Sequence, residues 1–96
     1  MKKRNNKYHL ELKEVSLKDG SEAGKTLEFE FENHDDLFQI FDVIKYRKVF
    51  DNEQTAQEFA LGLKLFTEVM LKNKQHPLFE ELRPAIMEFM KKLKSQ

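Results

Sequence analysis

Leu27-Glu28-Phe29-Glu30-Phe31-Glu32 decides the fold. Apolar and acidic residues alternate without a break, the period of a β-strand that turns one face to an interior and the other to water. Upstream, Tyr8, Leu10 and Leu12 alternate in the same way with Lys7, His9, Glu11 and Lys13, so a first strand begins near Lys7. The segment between them, Lys18 to Thr26, holds Asp19-Gly20 and Gly24 among polar residues and reads as a mobile hairpin loop longer than a tight turn. Val15 and Leu17 fall out of phase with Leu12. That break predicts a bulge near Lys13 and Glu14, the alternative being a strand that leaves the sheet there.

Two strands alone are only marginally stable, so the aromatic face must be covered by the rest of the chain. Helices packed on it are the expectation, and a further strand from a second subunit could pair with an open edge. Asn33 is placed to cap the first helix, with Asp35 and Asp36 suited to the positive end of its dipole. Leu37, Ile40, Phe41 and Ile44, widened by Phe38, then keep helical spacing until the pattern fades near Arg47. Asp51 and Gln54 resemble a capping box for a second helix over Asn52 to Asn73. Ala56, Phe59, Ala60, Leu63, Phe66 and Met70 form its expected stripe. Leu61, Leu65 and Val69 form a second ridge on roughly the opposite side, leaving a narrow polar wedge at Gln57, Lys64 and Glu68. That ridge is either buried between the hairpin and the other helices or a surface for a partner. Gly62 beside it suggests a close backbone approach, because glycine within a helix costs about 1 kcal/mol relative to alanine. Pro77 suits the first position of a third helix. Phe79, Leu82, Ile86, Phe89, Met90 and Leu93 keep phase beyond it, and Pro84 divides them into a short helix over Leu78 to Leu82 and a longer one from Pro84.

Composition bounds what this α+β chain can be. Its 96 residues suit a single domain, divided as a flexible basic tail (1–6), a β-hairpin (7–32) and a helical part (33–94). Nine phenylalanines and 40% hydrophobic residues supply a core that the phenylalanines should form. There is no cysteine, which removes disulfides, thiolate metal sites and cysteine nucleophiles and fits the cytoplasm. No run approaches the apolar length of a membrane span, and no export segment succeeds the basic start. The net charge of zero argues against general polyanion binding, although Lys2, Lys3, Arg4 and Lys7 begin the chain and Lys91, Lys92 and Lys94 end it around an acidic middle.

Three strings, Phe29 to Phe38, Leu61 to Lys72 and His76 to Leu82, resemble the small bacterial family catalogued as domain of unknown function 3861. The resemblance covers about Leu27 to Leu93. It implies a bacterial domain that stands alone and brings no activity, ligand or catalytic residue to these positions.

The remaining motifs reduce to structure. Gly20-Ser21-Glu22-Ala23-Gly24-Lys25-Thr26 looks like a phosphate-binding loop but is one residue short and opens a strand rather than a helix. His34, Asp35 and Asp36 are metal-ligand types, yet adjacent residues at a helix start diverge and no second cluster completes a set. His9 and His76 have no visible catalytic partner. Glu28, Glu30 and Glu32 should face Lys7, His9, Glu11 and Lys13 as cross-strand charge pairs rather than act as paired catalytic carboxylates. Ser16, Ser21 and Ser95 lack a nucleophile-elbow context. The expectation is a non-enzymatic protein-interaction or regulatory domain without cofactor or metal, able to self-associate, with Leu61, Leu65 and Val69 as the candidate partner surface. The alternatives are a nucleic-acid-associated protein using its basic ends, and a ligand binder or enzyme whose site arises only in the fold.

Overall fold

The computed structural model describes residues 5–95, and the chain divides after Asp35 into a hairpin unit and a helical unit. The architecture is α+β: one two-stranded antiparallel sheet, then three α-helices with a short 3₁₀ turn before the last.

In the hairpin unit, β1 (Asn6–Lys13) and β2 (Thr26–Asn33) pair without interruption from Asn6 opposite Asn33 to Lys13 opposite Thr26. Tyr8 faces Phe31, Leu10 faces Phe29 and Leu12 faces Leu27, so the apolar residues of both strands share one side. The Tyr8 and Phe31 rings lie 5.5 Å apart. The expected bulge is absent from this ladder. The Glu14 N–H still donates to the Lys25 carbonyl at 2.9 Å in the same register, and Val15 is then 88% exposed. The break of phase therefore marks the end of the strand.

Asn33 does not cap a helix. It is buried, and its Oδ1 accepts the Asp35 N–H at 2.9 Å, closing a turn after the last rung of the ladder. The Asp35 carbonyl in turn accepts from Asn6 Nδ2 and the Tyr8 hydroxyl, both at 3.2 Å.

In the helical unit, Asp36 caps α1 (Leu37–Tyr46), its carboxylate accepting the N–H groups of Phe38 and Gln39. Asp36 has the extended backbone a cap requires and stands one residue before the helix. The other end of α1 is a Schellman motif. The Lys48 N–H donates to the Lys45 carbonyl and the Val49 N–H to the Ile44 carbonyl, with Lys48 in the left-handed region at φ 52°. Glycine usually fills that position, and a lysine there costs about 1–2 kcal/mol.

Asn52, one residue beyond the expected Asp51, caps α2 (Glu53–Lys72) by accepting the Thr55 N–H at 3.1 Å. Ala56, Ala60 and Met70 are its buried residues. Two alanines one turn apart let α1 pack against this face. The polar wedge differs from its expected form: Gln57 is exposed, whereas Lys64 and Glu68 are half-buried. Gly62 is exposed, and a Cβ built there would meet nothing within 4 Å, so no close approach explains it. Gly62→Ala should therefore raise the unfolding free energy by about 1 kcal/mol, measured by urea denaturation. A loss of stability would instead reveal a neighbour packed on that face.

After Lys72 the chain turns through Asn73 to His76 into a 3₁₀ turn, Pro77–Phe79, capped by His76 Nδ1 accepting the Leu78 N–H at 3.1 Å. Then α3 runs from Leu82 to Lys94. Pro84 does not open this helix as expected. It sits in the first turn, where its missing N–H needs no partner. Arg83 donates to the Lys74 carbonyl, and Arg47 Nη1 donates at 3.1 Å to the Lys94 carbonyl, joining the end of α1 to the end of α3. Phe59 links Phe50 and Phe89, its ring 5.0 Å from one and 6.1 Å from the other, while Phe66 meets Phe79 at 6.0 Å.

The phenylalanines do not form the core. Only Phe79 among the nine is buried, and the buried apolar set is otherwise Leu37, Ile44, Ala56, Ala60 and Met70. No helix among the described residues is long and apolar enough to cross a membrane.

Candidate functional site

The loop that resembles a phosphate cradle is occupied by the chain itself. Glu14 Oε1 accepts the N–H groups of Gly24 at 3.1 Å and Lys25 at 2.9 Å, so an internal carboxylate takes the amides an external anion would need. At the other end of the loop the Gly20 N–H donates to the Leu17 carbonyl, with Gly20 at φ 78°. The Ser21 hydroxyl and then its N–H donate to Asp19, which holds that exposed carboxyl below its ordinary value. Nothing in the sequence beyond a glutamate near the loop signalled the Glu14 anchor.

His34 lies 3.6 Å from the Asp35 carboxylate, while the Asp36 carboxylate is turned to the α1 amides. The three therefore divide between an ion pair and a cap. Among the described residues no three histidine or acidic side chains converge as a metal-ligand group. His9 pairs with Glu28 at 3.1 Å and Lys7 with Glu30 at 3.2 Å, the expected cross-strand charge pairs, both on diagonals of the ladder. Glu11 stands directly opposite Glu28, a like-charge rung of which only Glu28 takes a diagonal partner, His9. Lys91, Lys92 and Lys94 occupy the last turn of α3, whereas Lys2, Lys3 and Arg4 lie outside the described residues.

The three residues of the expected second ridge separate. Leu61 and Leu65 are half-buried, and Val69 is 51% exposed. Val69 shares its side of α2 with Phe66, which is also on the surface. A larger apolar surface lies on α3, where helical phase alone pointed to a core. Leu82, Ile86, Phe89 and Leu93 recur at a spacing of four, three and four, one side of a helix, yet no residue of α3 is buried. Phe89 and Met87 are 41% and 60% exposed, and Leu78 ahead of the helix is more open still. An apolar cavity of about 120 Å³ lies among α1, α2 and α3, bordered by Ile40, Ile44, Leu63, Met90 and Leu93. It offers no converging acids or bases, and its polar neighbours Arg47, Lys64 and Lys94 carry the same charge.

A hairpin followed by helices whose last apolar stripe is only partly covered defines a small α+β protein. The chain belongs to the family described as a domain of unknown function with a solved structure (DUF3861), whose model matches residues 6–95. It is similar to the crystal structure of a protein of unknown function from Pectobacterium atrosepticum, with 36% sequence identity and a TM-score of 0.84. That match covers 97% of this chain and 100% of the other. No curated protein matches the chain.

Proposed function

We propose that this chain is a non-enzymatic protein-interaction module that works as a homodimer, its sheet extended between subunits and its exposed helical apolar residues reserved for protein contact. The observation that carries the reading is α3, an amphipathic helix of 13 residues with none buried. An amphipathic helix gains its stability chiefly by covering its apolar face, and at roughly 25 cal/mol per Å² the uncovered area is a standing drive toward association. Val69, with Leu61 and Leu65 beside it, extends the same kind of surface onto α2. The mechanism is recognition by surface complementarity.

Native cytosol passed over the immobilised chain tests the contact surface. Proteins held by the wild-type chain, apart from further copies of itself, should be lost with Leu82→Glu and retained with the control Glu88→Gln on the same helix. Equal retention by Leu82→Glu would contradict the assignment of the surface.

A further inference from the structure

The parity of the ladder decides which charged residues lie along each edge of the hairpin. The Glu14-to-Lys25 hydrogen bond fixes the parity of the ladder: even-numbered β1 residues bond to β2, and Lys7, His9, Glu11 and Lys13 turn their N–H and C=O groups to the outer edge of β1. On β2 the outward positions are Thr26, Glu28, Glu30 and Glu32. The described sheet has two strands, so both edges lack a neighbouring strand within it. All of these outward residues are exposed.

We infer that two copies join through β1 and its symmetry mate, antiparallel about a two-fold axis at His9, to give a four-stranded sheet. This rests on the dimer reading above and adds its geometry. Pairing β2 with a second β2 opposes glutamate with glutamate at every central rung, which closes that edge to self-association. For β1 with β1, directly opposed residues lie on the same face, so the axis falls on a residue. An axis at Leu10 forms two His9–Glu11 rungs but sets Lys7 against the mate's Lys13 twice, and an axis at Leu12 matches Glu11 with Lys13 but runs off the end of the strand and pairs only residues 11–13 within it. An axis at Glu11 sets glutamate on glutamate and His9 against Lys13. With the axis at His9, Lys7 meets the mate's Glu11 twice, and Tyr8 meets the mate's Leu10 on the apolar face. This register also gives Glu11 the positive partner that it lacks opposite Glu28 inside the hairpin. Pairing β1 with a neighbour's β2 also matches charge, but it leaves an open edge at each end and grows without closing, whereas the two-fold arrangement is complete at two copies.

Because the chain has no cysteine, single cysteines report the axis directly. Opposed residues in a hydrogen-bonded antiparallel pair have Cα atoms about 5.5 Å apart, within disulfide range. Under mild oxidation His9→Cys should convert most of the chain to a covalent dimer. Leu10→Cys, Glu11→Cys and Glu30→Cys should cross-link far less, with folding of each checked by circular dichroism. Glu11→Lys relieves the clash with Glu28 within the hairpin yet sets lysine against lysine across the axis. It should weaken the dimer about tenfold, and adding Lys7→Glu should restore it. Preferential cross-linking at Leu10→Cys, Glu11→Cys or Glu30→Cys, equal cross-linking at all four, or assemblies that keep growing would overturn this register while leaving self-association standing. A chain that is monomeric at every concentration would remove both.

Discussion

Replacing Ile44 by alanine should lower the unfolding free energy by about 2–5 kcal/mol, toward the upper part of that range, and the midpoint of thermal unfolding by at least about 10 °C. Ile44 is buried, and it serves α1 twice. Its carbonyl receives the Val49 N–H in the terminal Schellman motif, and its side chain borders the cavity among the three helices with Val49, Leu63 and Met90. The cost of a truncation depends on whether neighbours can close the gap. Here the removed atoms would merge with a void of about 120 Å³ already present, so collapse offers little relief. Val43, on the same cavity but 39% exposed, provides the comparison. Val43→Ala should cost well under half as much, and equal costs would mean that the three helices are not packed as described.

The second large effect is polar. Asn33→Leu keeps the side-chain volume and removes the acceptor of the Asp35 N–H, at a cost of about 1–3 kcal/mol by chemical denaturation. Asn33 is 1% exposed, so water cannot replace the lost partner without opening the turn. The damage should spread locally, because the Asp35 carbonyl positioned by that turn receives both Asn6 and Tyr8. Asn73→Leu, at an exposed asparagine bonded to the Val69 carbonyl, should cost much less. A silent Asn33→Leu would show that the turn holds by its backbone alone.

The strands were legible because alternation specifies a strand and gathers its apolar residues on one side in one pattern. Both β1 and β2 lie within a residue of their expected starts. The expected bulge failed because a change of phase has two meanings, and only the exposure of Val15 separates a kinked strand from a finished one. The caps moved from Asn33 to Asp36 and from Asp51 to Asn52 for a related reason. Each segment holds several residues with a capping side chain, and the backbone angle that selects one is set by where the helix begins. Pro84 looks like an opening signal in the sequence, although a proline anywhere in a first helical turn is equally free of an unmet N–H.

The exposed apolar surface was legible only in part, for a deeper reason. Periodicity identifies the apolar side of a helix and is silent on whether the rest of the chain has enough surface to cover it. Leu82, Ile86, Phe89 and Leu93 obey the same rule as Leu37, Ile40 and Ile44, yet Leu37 and Ile44 are buried and none of the α3 residues is. The second ridge of α2 shows the same limit, with Leu61 and Leu65 half-covered and Val69 open. Edge chemistry, by contrast, is written in the strand residues themselves. Once the parity of the ladder is known, the charges of Lys7, His9, Glu11, Glu28, Glu30 and Glu32 distinguish one edge from the other.

The most direct test of the central claim is the mass of the unmodified chain in solution, measured by light scattering from sub-micromolar to about 100 µM, concentrations spanning the range where modest interfaces form. A closed two-fold dimer predicts a transition from 11.5 kDa to twice that mass, with no further growth. A mass that stays at 11.5 kDa throughout would contradict it.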